Sequence, residues 1–292
     1  MELMDIVSAP VKVVEKSEPL SHARNVMLRN NISRVVVTEN EEPVGILTKT
    51  DMTRGLQQDE PKWKRRPIDK IPVKRQMSKD LITIDSSADI SEVACKMINH
   101  SISGIPVMED GNTNVTEKNK IIGIVTKQDL TEFYSKTNLN KRIEEIYSNE
   151  VISVHRHHSL NKAVELMKKN QINRIIVIDG KNSPVGIITN SDLTFANFNE
   201  VKKGIKGKEL ELPRKTKKAG EKKHRSVDKN MFVAEDVMSA PLITIDIENK
   251  TKEAAKKMVE EEISGIPITK NNELDGIITK TDIVEDICNE KL

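Results

Sequence analysis

Four copies of one short motif, Gly-Ile-x-Thr-x-x-Asp, are the residues of this chain best suited to chemistry. They occupy residues 45–51, 123–129, 186–192 and 276–282. Each copy ends an apolar run and leads into a helical pattern, which puts the threonine and the aspartate at a strand-to-helix junction. The first amides of a helix bind phosphate, and a carboxylate beside them can accept hydrogen bonds from ribose hydroxyls. The motif therefore predicts a site for a nucleoside phosphate.

A purely structural interpretation uses the same residues. Threonine at a helix N-cap with an acid three positions later forms a capping box, which satisfies free amides of the first turn. A single copy would favour that interpretation. Four copies, each preceded by a glycine that lets a backbone approach closely, favour a ligand site in at least one of them. Other copies could serve only as caps.

The motif belongs to a longer repeat. Four segments of 28 residues align without a gap, beginning at Pro10, Asp80, Glu150 and Pro241. In each segment a β-rich start is followed by apolar residues at helical spacing, and then by an apolar run typical of a strand covered on both faces. A recurring methionine is expected in the core. Each repeat therefore predicts strand, helix, strand, strand, helix, and the fold class is α/β (α+β).

One alternating column indicates that the repeats come in pairs. Repeats one and three have Arg34 and Arg174 where repeats two and four have glycine. A unit of about 60 residues buries only a marginal core by itself, which is a physical reason for pairing. Two tandem pairs predict a pseudo-two-fold disk. The predicted boundaries are repeats at 1–58, 77–138, 139–200 and 231–292, with basic insertions at 59–76 and 201–230.

These repeats, ending in Gly-Ile-x-Thr-x-x-Asp, resemble the cystathionine-beta-synthase (CBS) domain over nearly the whole chain. The layout is similar to that of stand-alone archaeal proteins with four CBS domains and of the gamma subunit of AMP-activated protein kinase. The resemblance implies that paired repeats form two Bateman modules. It also implies that an adenine nucleotide (AMP, ADP or ATP) or S-adenosylmethionine binds as ligand in clefts between the two sheets, with no cofactor required.

The resemblance further implies a role for several columns of the repeat. In the family the aspartate holds the ribose, the hydroxyl residue contacts ribose or phosphate, an arginine binds phosphate, and first-strand residues lie near the base. The corresponding residues are Asp51, Asp129, Asp192 and Asp282 for the ribose; Thr48, Thr126, Thr189 and Thr279 for the hydroxyl; Arg34 and Arg174 for phosphate; and Val13, Thr83, Ser153 and Thr244 for the base. Because the even repeats lack the arginine, their sites would need phosphate ligands from neighbouring repeats.

Two basic stretches interrupt an otherwise acidic chain. Residues 60–75 carry a net charge of +5 and residues 200–230 carry +7, whereas the whole chain carries only +2. Such runs are often solvated loops, but two of them at equivalent places also suit a polyanion such as RNA or a ribosomal surface. The candidate contacts are Lys62, Trp63, Lys64, Arg65, Arg66, Arg214, Lys215, Lys217, Lys218, Lys222, Lys223 and Arg225.

Composition argues against several other classes. No run approaches the roughly 18 apolar residues of a membrane span, and the N-terminus does not read as a signal peptide, so a cytoplasmic location without membrane contact is predicted. Cys95 and Cys288 cannot build a zinc pair-of-pairs or a disulfide framework; we expect Cys95 on a half-exposed helix side and Cys288 as filler. His155, His157 and His158 fall in a strand-to-helix connection, predicted to be a solvated or phosphate-facing loop rather than a metal site.

No catalytic constellation is present, so the sequence predicts a protein that is not an enzyme. The leading hypothesis is a regulatory protein that senses adenine nucleotides and acts through a macromolecular partner. An alternative is an RNA- or ribosome-binding protein that uses residues 60–75 and 200–230, with the CBS units as scaffold or switch. A third is a constitutive scaffold that binds no ligand. A monomer that closes the disk and a homodimer both remain open.

Overall fold

The structure is a computed structural model that describes residues 2–56, 68–109, 121–139, 141–195, 210–212, 225–227 and 232–290. The first repeat consists of β1 (Val13–Glu15), α1 (Leu20–Arg29), β2 (Arg34–Glu39), β3 (Glu42–Thr48) and α2 (Lys49–Leu56). Its three strands form one sheet in the order β1-β2-β3. β1 pairs parallel with β2, and β2 pairs antiparallel with β3. The predicted order of elements is confirmed.

The other three repeats have the same order of elements. The second consists of β4 (Ile84–Asp85), α3 (Ile90–Asn99), β5 (Gly104–Met108), β6 (Ile121–Thr126) and α4 (Lys127–Lys136). The third consists of β7 (Ser153–His155), α5 (Leu160–Lys169), β8 (Arg174–Ile178), β9 (Pro184–Thr189) and α6 (Asn190–Phe195). The fourth consists of β12 (Ile245–Asp246), α7 (Thr251–Glu260), β13 (Gly265–Lys270), β14 (Glu273–Thr279) and α8 (Lys280–Glu290). Each has a three-stranded sheet with its second strand in the middle.

The central strand of each sheet explains the unbroken apolar runs in the sequence. Val35, Val36 and Val37 are all at most 1% exposed, although successive side chains of a strand point to opposite faces. Both faces of the strand are therefore covered. The recurring methionines are equally buried, as expected for core positions: Met27, Met97, Met167 and Met258.

The chain divides into two compact units. One comprises Met1–Ile146, Asn249–Gly265 and Ile278–Leu292, and the other comprises Tyr147–Glu248 and Ile266–Ile277. Repeats one and two thus lie in the first unit and repeat three lies in the second. The fourth repeat is divided, because its helices α7 and α8 belong to the first unit and most of its strands belong to the second.

Two further strands lie within the predicted basic insertion 201–230. β10 (Leu210–Leu212) and β11 (Arg225–Val227) pair antiparallel, with Leu210 opposite Val227. Arg225 is the one candidate RNA contact in the part of the chain that the structure describes. The others, at 62–66 and 214–223, lie outside the described residues.

Helices of the second and fourth repeats pack together in the first unit. α8 contacts α3, α4 and α7, and α4 also contacts α7. Against the expectation that Cys288 is filler, Cys95 of α3 and Cys288 of α8 form a disulfide. Both side chains are half-buried. The prediction failed because the pair is 193 residues apart in the sequence, and only the packing of α3 on α8 brings the two residues together.

A buried carboxylate joins α8 to α4 in the same helix cluster. Asp286 is 3% exposed; its Oδ2 accepts a hydrogen bond of 2.7 Å from the Tyr134 hydroxyl, and its Oδ1 lies 2.5 Å from Lys141 Nζ. Lys141 also pairs with Glu290 of α8. Burial, and then the bond to Asp286, raise the pKa of Tyr134, so the phenol stays protonated as the donor.

We expect Asp286→Ala to lower the free energy of unfolding by about 3 kcal/mol, because the substitution leaves the Tyr134 hydroxyl and the Lys141 ammonium without their shared acceptor. Urea denaturation followed by circular dichroism measures the change. Glu285→Ala, at an exposed position of the same helix, is the matched control and should change stability by less than about 0.5 kcal/mol. Equal stability of the two variants would contradict the buried network.

We expect loss of the disulfide to destabilise the protein, because the bond closes a very long loop in the unfolded chain. Cys95→Ser should lower the free energy of unfolding by about 2–4 kcal/mol, and a reductant should have the same effect on the unmodified protein but no further effect on the variant. Urea denaturation with and without reductant measures both. Two free thiols titrated in the unreduced, denatured protein would contradict the pairing.

Candidate functional site

The motif threonine and aspartate form a capping box at the start of the second helix in every repeat. The backbone N–H of the threonine donates to the aspartate Oδ2 at 2.9 Å in Thr48–Asp51 and at 2.7 Å in Thr126–Asp129. The threonine hydroxyl bonds the same Oδ2 at 2.6 and 2.7 Å. The remaining copies repeat this geometry in Thr189–Asp192 and Thr279–Asp282. The cap thus uses one carboxylate oxygen, Oδ2, and leaves the other, Oδ1, outside the capping box.

In two repeats a serine hydroxyl bonds that second oxygen. Ser8 Oγ lies 3.2 Å from Asp129 Oδ1, and Ser239 Oγ lies 3.1 Å from Asp192 Oδ1. Both serines begin a Ser-Ala-Pro sequence in the segment that leads into a repeat, which is a signal that the sequence analysis missed. A carboxylate oxygen can accept two hydrogen bonds, so Oδ1 can hold this serine and a ligand hydroxyl together.

The motif glycine makes room for the segment that leads into the paired repeat. A Cβ on Gly45 would overlap the carbonyl oxygen of Ser78, and one on Gly276 would overlap Tyr147 and the Ser148 carbonyl. An isolated β-bridge lies beside the motif glycine of each repeat. The four bridges are Ser8–Ile124, Ser78–Ile46, Ser148–Ile277 and Ser239–Ile187. The close approach predicted for the glycine is therefore made by the chain itself.

Arg34 of the first repeat lies over Gly104 of the second. A Cβ on Gly104 would overlap the guanidinium, which explains why the first pair carries arginine in one repeat and glycine in the other. Arg34 also stands directly opposite Thr48 in the β2–β3 ladder. Its Nε is buried and has no hydrogen-bond partner among the described residues. Burial lowers the pKa of Arg34, and the negative charge of Asp129 opposes that shift.

Charged residues of the second and fourth repeats make contacts between these two repeats within the first unit. Lys127, the first residue of α4, donates from Nζ to the Thr281 hydroxyl at 2.9 Å. In the reverse direction, Lys280 of α8 donates to the Gln128 side chain. Burial lowers the pKa of Lys127. The negative charge of Asp282 opposes this shift, and the positive charge of Arg34 adds to it. Burial raises the pKa of Asp282, whereas hydrogen bonds from Thr279 oppose the rise.

Of the remaining predicted site residues, Arg174, Val13 and Ser153 lie in the expected strands, whereas Thr83 and Thr244 lie one residue before β4 and β12. Arg174 stands opposite Thr189 in the β8–β9 ladder, the register of Arg34 in its own repeat. The candidates for contact with the base occupy one column at the first strand of each repeat; Val13 is 53% exposed, and the other three are half-buried. Those three are Thr83, Ser153 and Thr244.

The histidine-rich segment forms the turn between β7 and α5. The backbone N–H of His155 donates to His158 Nδ1 at 3.2 Å. Arg156 Nε donates to Glu235 at 2.9 Å, and His157 lies 3.7 Å from the same carboxylate. Within the described residues, no group of three His, Cys, Asp or Glu side chains is arranged to hold a metal ion. In the same part of the chain, no helix is long and apolar enough to span a membrane.

The family model of the CBS domain matches residues 3–58, 70–136, 143–198 and 233–289. The chain belongs to the CBS domain family. The structure of MJ1225 from Methanocaldococcus jannaschii, proposed as an archaeal homolog of the gamma subunit of AMPK, is similar with a TM-score of 0.72 and 22% identity. That match covers 98% of this chain and 100% of the other. The fold of this chain is therefore shared by an archaeal protein of known structure.

Two relatives in sequence are longer than this chain. The uncharacterized protein MJ1404 of Methanocaldococcus jannaschii is 26% identical over an alignment of 292 positions. The alignment covers 98% of this chain and 62% of that protein. The inosine-5'-monophosphate dehydrogenase of the same organism is 30% identical over 115 residues, 39% of this chain and 21% of the enzyme. This chain thus spans less than two thirds of either relative.

We expect Gly45→Ala to lower the free energy of unfolding by about 1–3 kcal/mol, because the new methyl group pushes the Ser78 backbone off its bridge to Ile46. Urea denaturation measures the loss. Gly180→Ala is the matched control, since its Cβ would have His155 Nε2 at 3.9 Å as nearest neighbour; it should stay within about 0.5 kcal/mol of the unmodified protein. A harmless Gly45→Ala would contradict the pairing of CBS domains through this glycine.

Proposed function

We propose that this CBS protein is a non-enzymatic regulator that binds an adenosyl ligand, with adenine nucleotides foremost, and transmits its occupancy to a macromolecular partner. The observation that carries the proposal is the buried Nε of Arg34, which lacks a hydrogen-bond partner among the described residues. An unsatisfied buried donor costs about 1–3 kcal/mol, and the guanidinium fork suits phosphate oxygens. A phosphate ligand would satisfy it.

The neighbouring motif supplies the other parts of such a site. Asp129 attracts the Arg34 guanidinium electrostatically, and its Oδ1 accepts the Ser8 hydroxyl. Since Oδ2 already belongs to the capping box, Oδ1 is the atom that we assign to a ribose hydroxyl. Asp51, Asp192 and Asp282 have the same cap geometry and are the equivalent candidates. Thr48, Thr126, Thr189 and Thr279 contribute through their hydroxyls.

The macromolecular partner remains a prediction from sequence. RNA or a ribosomal surface is the candidate that the basic stretches suggest, and the residues concerned lie outside the described part of the chain except for Arg225. The proposal for ligand binding does not depend on them. The absence of a catalytic constellation from the sequence supports regulation over catalysis, and the cytoplasm is the location that we propose for it.

We expect isothermal titration calorimetry of the full chain to detect AMP, ADP or ATP below millimolar concentration, with S-adenosylmethionine titrated in parallel. Asp129→Asn and Asp51→Asn should each weaken binding at their sites about tenfold or more, because the amide replaces the charged acceptor of the ribose. Asp89→Asn is the matched control: this exposed aspartate precedes α3 and makes no capping bond, so affinity should not change.

A ligand-free scaffold predicts a different result. A ligand that binds only the native state at 100 times its Kd stabilises that state by about 2.7 kcal/mol. Thermal melts at millimolar concentrations of each adenosyl ligand should therefore shift upward. Unchanged melting together with no heat of binding would refute the proposal, and chemical conversion of the nucleotide by the pure protein would refute its non-enzymatic part.

A further inference from the structure

The backbone of Lys127 in the second CBS domain lies next to the strand residue that the Arg34 side chain of the first domain covers. The backbone N–H of Lys127 donates to the Ser103 carbonyl at 3.2 Å, and Ser103 directly precedes Gly104, over which Arg34 lies. Gly104 also stands opposite Thr126, the residue before Lys127, in the β5–β6 ladder. Arg34 and Lys127, which come from different repeats and are far apart in the sequence, therefore both lie at this strand-to-helix junction.

Carboxylates attract each of the two cations from outside, but the cations also repel each other. Asp129 attracts Arg34, and both Asp282 and Glu285 attract Lys127, whereas Arg34 repels Lys127. Burial already disfavours the charge on both side chains. Repulsion between neighbouring cations in a half-buried setting is relieved when an anion binds between them. The buried Nε of Arg34 is a second, independent indication that such an anion has a donor waiting for it.

Lys127 is held in position while it keeps donors to spare. Its ammonium has three donors, and one of them bonds the Thr281 hydroxyl at 2.9 Å. The side chain is half-buried, so solvent and ligands can reach it. A lysine fixed at one donor loses less conformational entropy when it binds a further group. The contact with α8 thus presents the cation ready for a ligand.

We propose that Lys127 is a second phosphate-contacting cation at the Arg34 site, and that it makes this site select phosphorylated adenine nucleotides over S-adenosylmethionine and adenosine. The inference rests on the proposed function, because it assigns a ligand class to the same site. A nucleotide phosphate neutralises both cations. The sulfonium of S-adenosylmethionine would bring a third positive charge to the site, and adenosine brings no charge at all.

The test is calorimetry of the full chain with ADP, adenosine and S-adenosylmethionine. Lys127→Met should weaken ADP binding about tenfold, the value of one charge-assisted hydrogen bond, and leave adenosine binding within about twofold of the unmodified protein. Lys127→Arg, which keeps the charge, should restore most of the ADP affinity. Lys136→Met is the matched control on the same helix, because Lys136 is exposed and pairs with Glu132; it should change nothing.

The outcomes separate this inference from the function on which it rests. Binding of ADP with equal affinity by Lys127→Met and the unmodified protein would overturn the inference, as would a preference of the unmodified protein for S-adenosylmethionine. Failure of the unmodified protein to bind any of the three ligands would instead overturn the proposed function. If Lys127→Met is unfolded, Lys127→Gln replaces it. The salt dependence of the unmodified protein gives an independent measure, since added NaCl should weaken ADP binding and spare adenosine.

Discussion

The structure depends on one close approach, between the motif glycine of each CBS domain and the segment that leads into its paired domain. Backbone bridges such as Ser8–Ile124 and Ser78–Ile46 hold these segments on the partner's third strand. A side chain at Gly45 or Gly276 would overlap the backbone of the segment beside it. A small three-stranded sheet has too little core to be stable alone, and the bridged segments join each sheet to that of its paired domain. One of these segments also delivers Ser8 to Asp129, which places a residue of one domain within the candidate site of another.

Asymmetry within a pair has a comparably simple origin. A large cation at Arg34 needs an empty position opposite it, and Gly104 provides that position. The first pair therefore cannot carry a side chain at both positions, because any Cβ on Gly104 would overlap the guanidinium. The alternating column in the sequence records this complementarity. The same constraint makes the Arg34 side chain part of the packing as well as part of the proposed site.

Much of the fold could be predicted from the sequence, because four aligned copies repeat the same apolar periodicity and the same turn residues. Strand order within each repeat, the buried methionines and the position of Thr48 and Asp51 at the end of a strand followed from that pattern. Residues whose role depends on contact between distant segments could not be found in this way. The disulfide between Cys95 and Cys288 requires the packing of α3 on α8. Likewise, Lys127 and Arg34 come to the same strand-to-helix junction only because the first and second domains pack together. The charged insertions carry no repeated pattern from which a structure could be inferred.

The capping box has a consequence for the history of such repeats. Since Asp51, Asp129, Asp192 and Asp282 each start a helix, selection for a stable fold preserves them whether or not their pockets hold anything. A domain can thus lose ligand binding through substitutions elsewhere in its cleft and still keep an intact Thr-x-x-Asp motif. In chains of this type the number of Thr-x-x-Asp motifs therefore gives the number of capped helices, and it does not give the number of occupied ligand sites. Occupancy is better judged from charged side chains beside the motif that the cap does not use, such as Arg34 and Lys127.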